Sequence, residues 1–382
     1  MSFLTAAKGH LINIPGWRTS RHLVVIESDD WGMVRTASRD AYTQLLAKGH
    51  PVDTSPYSQN DCLESNEDLT DLLEVLCRIR DHQGNPAVVT INNVVGNPDF
   101  RRIRESEFTA YFVEPFTETL ERYPSHDRVM ELYRIGMGEG CFVPQFHGRE
   151  HVHVTHWMQA LRDGATDIRD AFDRGMFTIP RRRSSDCGHV YVNAMFSTSI
   201  HDEAVIAASI AEGLRWFTRI WGFASQTAIA PCYQWSAPVE EAWRTGGVRG
   251  IQSAQVQQRP TRSGRLAHVR RYTGQVNTSG QTYAIRNVMF EPSLAPHRDA
   301  VPEALRQIAR AFLWRKPAII ASHRLNYIGS LQATNKARGL SSLTRLLTAI
   351  LRQWPDVEFI GSDQLHRLMQ DARTEAHATR TR

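Results

Sequence analysis

The sequence predicts an α/β protein whose parallel strands close into a barrel within a single domain. Short apolar runs that end in polar or turn-forming residues alternate along the chain with stretches of helical periodicity. This alternation is typical of a parallel sheet, and the number of units favours a barrel over an open sheet. A chain of 382 residues is long enough to bury the core of such a barrel.

The expected strands are short apolar runs bounded by residues that favour turns. They contain Val, Ile and Phe, which fit a pleated and buried surface. Asn, Gly and Pro mark the loop at 92–99, directly after one of them. The strands are expected at 22–27, 87–91, 141–146, 227–230, 248–251, 283–289, 316–322 and 357–360.

The expected helices carry apolar residues at spacings of three and four. Pro115 suits a first helical position, and Ser362 suits the N-cap of the last helix. The helices are expected at 37–47, 69–80, 115–122, 127–136, 155–163, 203–217, 239–245, 301–314, 340–354 and 363–369.

One barrel domain accounts for most of the chain. We expect it to span 20–366, after an N-terminal extension over 1–19 and before a polar C-terminal tail over 367–382. Two insertions interrupt it, a loop near 172–193 and a long loop or extended hairpin near 255–281. Neither has enough apolar residues for a core of its own, so one domain is expected.

Composition argues against several classes of function. The net charge of +5 is small and is carried by arginine, because lysine occurs only at positions 8, 48, 316 and 336. No basic block is interleaved with aromatic residues, so nucleic-acid binding is not expected. The five cysteines show no CxxC spacing, which argues against a disulfide framework or a thiolate zinc site. With no signal-peptide pattern and no apolar run near ~18 residues, we expect a cytoplasmic protein without a transmembrane segment.

Residues capable of chemistry follow four of the expected strands. In α/β barrels the carboxyl ends of the strands meet on one face, and catalytic side chains gather there. One site could therefore use the residues at all four ends. They are Asp29 and Asp30 after the first strand, His147 and His151 after the third, Tyr233 and Trp235 after the fourth, and His323 after the seventh.

The residue types suit a metal-dependent hydrolase. One Asp oxygen with two imidazoles makes a facial metal site that leaves room for water and a substrate carbonyl. The adjacent Asp cannot easily share the ion and can act as a base toward water that the ion activates. A histidine from another strand end can protonate a leaving amine.

Two other interpretations use the same residues. His147 and His151 fit the H-x-x-E-H pattern of inverzincin metallopeptidases, with Glu150 as the base. That pattern requires a helix, which Pro144 and Gly148 disfavour, and it leaves the Asp pair unexplained. The Asp pair, taken alone, fits a loop that caps the following helix.

Four stretches resemble motifs of the NodB-type polysaccharide deacetylases, the carbohydrate esterase family 4 enzymes. The similarity runs in order over about residues 20–366. The order Asp-Asp-aromatic-Gly also resembles the YdjC-type chitooligosaccharide deacetylases. VIESDDWG at 25–32 is similar to the first motif, GCFVPQFHGREH at 140–151 to the second, APCY at 230–233 with 247–251 to the third, and AIIASH at 318–323 to the fifth.

This resemblance implies a distorted (β/α)7 barrel and a metal-dependent deacetylase. The ion would be Zn²⁺, with Co²⁺, Ni²⁺ and Mn²⁺ as alternatives. The substrate would be an N-acetylated amino sugar within an oligosaccharide, a sugar conjugate or an envelope-glycan precursor. The roles carried over are Asp29 as base, Asp30, His147 and His151 as metal ligands, His323 as acid and the backbone N–H of Tyr233 as oxyanion donor. The candidates for substrate contact are Trp31, Asn92, Trp235 and Arg324.

The sequence departs from the family pattern at three places, one of which is that Arg324 rather than an acid follows His323. The family's arginine that pairs with the base is missing, since Ile229 and Ala230 stand in that region. The candidates to replace it are Arg149, Arg324 and the run at 181–183. The fourth motif is not recognisable around 252–258. Two further functions therefore stay open: a non-catalytic barrel that binds glycans or scaffolds partners, and a metal-free amidohydrolase that acts on a non-sugar amide.

Overall fold

The computed structural model describes residues 10–180, 191–197, 199–261 and 263–380. The strands are β1 (Leu23–Trp31), β2 (Val89–Val94), β3 (Gly96–Pro98), β4 (Val113–Pro115), β5 (Phe142–Gly148), β6 (Thr227–Ala228), β7 (Gly250–Ser253), β8 (Val256–Pro260), β9 (Leu266–Arg270), β10 (Thr282–Ile285), β11 (Val288–Met289), β12 (Ala318–His323) and β13 (Glu358–Phe359).

The helices alternate with the strands of the main sheet. They are α1 (Arg39–Ala47), α2 (Pro56–Asn60), α3 (Asn66–Arg78), α4 (Phe100–Glu105), α5 (Phe116–Leu120), α6 (Val129–Gly138), α7 (Val154–Arg162), α8 (Thr166–Phe172), α9 (Ile200–Trp221), α10 (Ala237–Thr245), α11 (Val301–Leu313), α12 (Ala333–Gln353) and α13 (Ser362–Arg380). The short helices α2, α4 and α8 are not among the expected ones, because five to seven residues are too few to show a helical period.

The main sheet closes into a parallel barrel. It has seven positions, because β10 and β11 together fill one of them. The sheet runs in the order β10-β7-β6-β5-β2-β1-β12-β11. Only Arg286 and Asn287 separate β10 from β11, so both ends of this path belong to one stretch of chain. The Arg286 amide donates to Ser253 O at 2.8 Å on one side, and the Asn287 amide donates to Ile319 O at 3.1 Å on the other. The predicted distorted (β/α)7 barrel is confirmed.

β1 lies at the centre of the core. All nine of its residues are buried, as expected for a strand covered on both faces. It pairs in parallel with β2 and β12, and β13 pairs with its first residues. The side chains of Val24 and Ile26 pack in the main hydrophobic cluster, together with Ala318 and Ile320 of β12.

The helix α13 covers the amino end of the barrel. The Ser362 amide donates to Thr90 Oγ1 at 3.0 Å, and its hydroxyl lies 2.9 Å from Thr227 Oγ1. The helix continues past residue 366 to Arg380, and Met369 is buried against β1 and its neighbours. The expected boundary between the barrel and the C-terminal tail, at residue 366, therefore falls inside a helix. The helix packs on the barrel on both sides of this boundary, through Leu365 and Met369.

The second insertion contains a hairpin. β8 and β9 pair antiparallel, from Val256 opposite Arg270 to Pro260 opposite Leu266. The first insertion lies partly outside the described residues, which exclude 181–190. Within the described part of the chain, no helix is both long and apolar enough to cross a bilayer.

His366 makes folding sensitive to mild acid. The side chain is 2% exposed, and neither ring nitrogen has a hydrogen-bond partner within the described residues. Burial lowers the pKa of His366 to about 3, whereas an unfolded histidine has a pKa of about 6.5. The unfolded chain therefore binds a proton that the folded chain rejects, and this group costs stability progressively as pH falls from about 6.5 to about 3.

We expect His366→Leu to reduce the loss of stability between pH 7 and pH 5 by up to about 2 kcal/mol. Urea unfolding of the wild type and the variant at both pH values measures the difference. His297→Leu is the matched control, because it makes the same replacement at an exposed histidine. An equal loss of stability in the wild type and His366→Leu would contradict the prediction.

Candidate active site

A distortion in β1 directs two adjacent carboxylates into the barrel. Successive side chains of a regular strand point to opposite faces, so Asp29 and Asp30 would normally diverge. Asp30 instead has a φ of 76°, in the left-handed region that Asp tolerates better than most residues. The pairing of β1 with β2 also shifts register between Ser28 and Trp31. Both carboxylates consequently reach interior partners.

Glu64 holds the backbone that follows this distortion. The Gly32 amide donates to both Glu64 carboxylate oxygens, at 3.1 and 3.2 Å. Glu64 also accepts hydrogen bonds from Tyr133 Oη at 2.6 Å and from Arg324 at 2.7 Å. Gly32 has a φ of 83°, and a Cβ there would lie 2.5 Å from the Val94 carbonyl oxygen. A buried polar network therefore fixes the end of β1.

Asp30, His147 and His151 converge on one point. His147 is the residue before the last of β5, and His151 lies in the loop before α7. The Nε2 atoms of His147 and His151 lie 3.3 and 3.4 Å from Asp30 Oδ1. One ligand atom from each residue lies within 4.8 Å of the other two, and all three residues are buried. The structure thus brings together the three residues predicted as metal ligands.

The donor atoms fit a divalent cation. The Ile229 carbonyl can only accept, so it takes a hydrogen bond from Nδ1 of His147 at 3.1 Å, and Nε2 of His147 faces Asp30. Burial, helped by the neighbouring His147, lowers the pKa of His151 to about 3, so His151 is neutral at pH 7. With Nδ1 of His147 engaged, the two Nε2 atoms and Asp30 Oδ1 are the atoms that would hold an ion. Two imidazoles and a carboxylate are typical ligands of Zn²⁺.

This geometry argues against the peptidase pattern. His147 belongs to a strand, and α7 begins only at Val154, so the H-x-x-E-H residues do not lie on a helix. Glu150 accepts hydrogen bonds from Arg149 at 2.5 Å and from Ser209 at 2.7 Å. Its carboxylate is occupied by these partners and does not serve as a base at the cluster.

Arg286 pairs with the predicted base. Its two terminal nitrogens donate to the Asp29 carboxylate oxygens at 2.7 and 2.6 Å, and its Nε donates to Glu27 at 2.7 Å. Asn92 donates to Asp29 Oδ1 at 2.7 Å and to Gln252 at 2.7 Å. Burial alone would raise the pKa of Asp29, but the charge and hydrogen bonds of Arg286 hold it below its ordinary value. Asp29 is therefore a carboxylate at neutral pH.

Arg286 thus occupies the place of the arginine that is missing near residues 229–230. It lies at the junction of β10 and β11. The candidates named from sequence do not fill this role. Arg149 pairs with Glu150 and Glu212, and Arg324 pairs with Asp61 and Glu64. The run at 181–183 lies outside the described residues. Arg286 was missed because it is far from the Pro231–Tyr233 motif in sequence and approaches Asp29 only when the barrel closes.

His323, the predicted acid, lies close to Asp29, as Arg286 does. Its Nε2 lies 3.8 Å from Asp29 Oδ2, and its Nδ1 donates to Glu291 Oε1 at 2.6 Å. Burial opposes protonation, but the charge and hydrogen bond of Glu291 and the two aspartates raise the pKa of His323 to about 10. The Tyr57 hydroxyl lies 3.5 Å from Nε2, with the tyrosine ring edge-on to the imidazole. Neither Glu291 nor Tyr57 was predicted from sequence.

The predicted backbone donor at Tyr233 is wrong. The Tyr233 N–H donates to the Ala230 carbonyl at 3.1 Å in a tight turn, so it is not available to an oxyanion. The side chain reaches the site instead, and its hydroxyl accepts a hydrogen bond from Arg286 at 3.2 Å. Burial raises the pKa of Tyr233 and of Tyr57, so both phenols keep their protons.

Three of the predicted substrate contacts are wrong, and the fourth lies beneath the site. Trp31 and Trp235 are fully buried, and their indole nitrogens donate to Ser28 and Glu240, so neither can stack on a sugar. Arg324 is fully buried between its two carboxylates. Asn92 is also fully buried, and its side chain supports Asp29 from below.

Comparison with known proteins assigns no family. No family model and no curated protein matches the chain. Solved structures with a similar fold include the 4-α-glucanotransferase of Thermococcus litoralis, at 8% identity and a TM-score of 0.43, covering 90% of this chain and 40% of that one. A Mycobacterium smegmatis protein described as a polysaccharide deacetylase has 9% identity and a TM-score of 0.44, covering 94% of each chain. An allantoinase has 10% identity and a TM-score of 0.45, covering 92% of this chain and 91% of that one.

This chain spans only two fifths of the glucanotransferase's length. At these identities and TM-scores the matches establish neither a substrate nor a reaction. The chemistry has to follow from the residues of the site.

Proposed function

We propose that the protein is a metal-dependent deacetylase that removes an acetyl group from the nitrogen of an amino-sugar substrate. One observation carries the proposal: a carboxylate base and a protonated histidine lie 3.8 Å apart beside a cluster of three metal-ligand side chains. The amide and the sugar come from the resemblance of four ordered motifs to the NodB-type deacetylases.

The metal would serve two purposes at this site. A divalent ion held by Asp30, His147 and His151 would lower the pKa of a nearby water molecule and polarise the amide carbonyl. Zn²⁺ suits this ligand set best, with Co²⁺, Ni²⁺ and Mn²⁺ as alternatives.

The remaining residues move the protons. Asp29, which Arg286 keeps ionised, takes a proton from the attacking water at a carboxylate oxygen. His323 holds a proton on Nε2, because Glu291 pairs with Nδ1, and gives it to the leaving nitrogen. The C–N bond breaks, and acetate and a free amine result. The phenols of Tyr57 and Tyr233 keep their protons and can donate to the negative charge that develops on the carbonyl oxygen.

Metal content and acetate release test the proposal together. We expect about one divalent ion per chain after zinc loading, and acetate release from N-acetylated chitooligosaccharides. Asp30→Ala and His151→Ala should lose both the ion and the activity. His297→Ala, at an exposed histidine, should keep both.

The same experiment separates the alternatives. Wild-type protein that binds no ion and releases no acetate after loading with zinc or cobalt would favour a glycan-binding or scaffolding barrel. Hydrolysis that persists after complete chelation would favour a metal-free amidohydrolase. Either result would contradict the proposed function.

A further inference from the structure

A cavity lined with hydroxyl groups lies beside the segment that carries Tyr57. Its volume is about 290 Å³, and it contains one charged side chain, Arg35. Thr54, Ser55, Ser58 and Thr178 contribute the other polar atoms. Every one of these residues carries a hydrogen-bond donor, so the cavity offers donors and a positive charge to whatever occupies it.

Arg35 differs from the other arginines near the site. Arg149, Arg286 and Arg324 all pair with Asp or Glu carboxylates. Among the described residues no carboxylate lies within salt-bridge distance of Arg35, although burial raises the pKa of the Asp61 carboxyl and the charge of Arg35 acts to lower it. The guanidinium lies over the ring of Tyr57, whose centroid is 5.2 Å from Cζ. Arg35 is only partly buried, so its guanidinium can meet a ligand.

The hydroxyl groups are also available. Ser55 precedes α2, but its side chain makes no capping hydrogen bond to that helix. Ser58 and Thr178 are buried, and both residues line the cavity. Thr54 donates to the Pro51 carbonyl at 2.7 Å and keeps its acceptor lone pairs. Hydroxyl groups beside a guanidinium that has no salt-bridge partner among the described residues suit the oxygens of an anion.

The cavity is close to the reacting groups. Tyr57 lies between them, with Arg35 over its ring and its hydroxyl 3.5 Å from His323 Nε2. A substrate whose amide reaches the metal cluster can therefore place a neighbouring substituent in this cavity.

We propose that the cavity binds an anionic group of the substrate, so that the preferred substrate is an N-acetylated amino sugar bearing a phosphate or a carboxylate. Guanidinium groups bind both anions through paired hydrogen bonds. A sequence pI of about 9.0 also favours encounter with anionic ligands. This inference rests on the proposed function, from which it takes the N-acetylated amino sugar. The preference for a negatively charged substrate is inferred from Arg35.

The alternative role for Arg35 is to hold Tyr57 against His323 by its contact with the ring. That role would affect neutral and charged substrates equally. The two roles are therefore separated by comparing substrates that share the N-acetylglucosamine unit and differ in charge.

The test compares wild type and Arg35→Gln, both loaded with zinc, on three substrates. N,N′-diacetylchitobiose is neutral, N-acetylglucosamine 6-phosphate carries a phosphate, and N-acetylmuramic acid carries a carboxylate. We expect the wild type to prefer at least one charged substrate, and Arg35→Gln to lower kcat/KM for it by about 10- to 100-fold, mainly through KM. The neutral substrate should change less than about twofold, within the range of surface substitutions.

Two controls accompany this comparison. Arg101→Gln removes an exposed arginine that pairs with Glu105 elsewhere, and should leave all three substrates unaffected. Thermal unfolding of Arg35→Gln at the wild-type temperature would show that the fold is intact. The substrate with the larger loss tells whether phosphate or carboxylate is preferred.

Calorimetric binding of inorganic phosphate gives a readout that does not require turnover. We expect binding by the wild type that is weakened about 10-fold or more in Arg35→Gln. Phosphate binding that depends on Arg35, without hydrolysis of any substrate, would support the anion site and contradict the proposed reaction. Equal losses on neutral and charged substrates, or phosphate binding unchanged by Arg35→Gln, would overturn the anion site and leave the proposed reaction standing.

Discussion

Asp29→Asn should lower kcat by about 10²- to 10⁴-fold, the usual contribution of a positioned general base. Asparagine has nearly the same shape, and it can still accept a hydrogen bond from Arg286. It cannot take up a proton at neutral pH, however, so the proton of the attacking water has no acceptor. Because Asp29 does not belong to the cluster of ligand side chains, the bound metal should remain.

Acetate release measured at saturating substrate, together with metal analysis of the same sample, checks this prediction. Asp30→Asn is the matched comparison, because it makes the same chemical change at the adjacent residue. It should lower metal content, whereas Asp29→Asn should not. Loss of metal in Asp29→Asn, or full activity with metal retained, would show that the roles of the two aspartates are assigned incorrectly.

The predicted site residues that the structure brings together were indicated by short-range patterns. An apolar run followed by Asp29 and Asp30 indicated a strand end that carries carboxylates. The spacing of His147 and His151 indicated a pair of ligands. In each pair the two residues lie within five positions of one another, so sequence alone can indicate that they end the same strand. That Asp29 and Asp30 point to the same side, and that Asp30 meets the two histidines, depends on the distortion of β1 and on the sheet.

The missed residues depend on closure of the barrel. Arg286 lies 257 positions from Asp29 along the chain, and the two meet only because β10 and β11 return to the sheet between β7 and β12. A signal for Arg286 was nevertheless present. A charged residue interrupts the apolar run TYAIRNVMF, and a charge within a buried strand requires a buried partner of opposite sign. Carboxylates at the ends of other strands, such as Asp29, are candidates for that partner.

The misassigned tryptophans have a different cause. Trp31 and Trp235 follow or flank strand ends, a position where an aromatic ring could meet a sugar. Both rings instead fill the space between the barrel and its outer helices, because large aromatic side chains bury more apolar area than any other residue type. A position near a strand end predicts how far along the barrel axis a side chain lies. It does not predict whether that side chain points into the barrel mouth or toward the outer helices.

Arg286→Gln should be strongly destabilising as well as inactivating. The wild-type guanidinium lies between two buried carboxylates, Glu27 and Asp29. Breaking a buried ion pair by removal of one partner costs about 3–5 kcal/mol, because the other charge stays buried without compensation. Activity should also fall, since Asp29 loses the bidentate contact that orients it.

The destabilisation should depend on pH. Burial raises the pKa of Glu27 to about 7 even though Arg286 opposes this effect, so without Arg286 the pKa of Glu27 should rise further. An unfolded Glu has a pKa near 4.3, so above that pH the folded variant binds a proton that the unfolded chain has released. Folding of the variant therefore becomes less favourable as pH rises, and its deficit relative to the wild type should be larger at pH 8 than at pH 5.5.

Urea unfolding at pH 5.5 and pH 8 measures this deficit, and Arg21→Gln provides the control. Arg21 also forms two hydrogen bonds with one carboxylate, that of Glu358, at 2.7 and 2.6 Å, but its side chain is 41% exposed. The Glu358 side chain is 11% exposed and also accepts a hydrogen bond from Gln83, and removal of the partly exposed Arg21 opens it to water, so this control should lose less stability than Arg286→Gln at either pH. If Arg286→Gln behaves like Arg21→Gln, the Glu27 and Asp29 carboxylates do not depend on Arg286 for their charge. Asp29 would then need another cation to remain ionised, and the metal cluster beside it is the nearest candidate for that role.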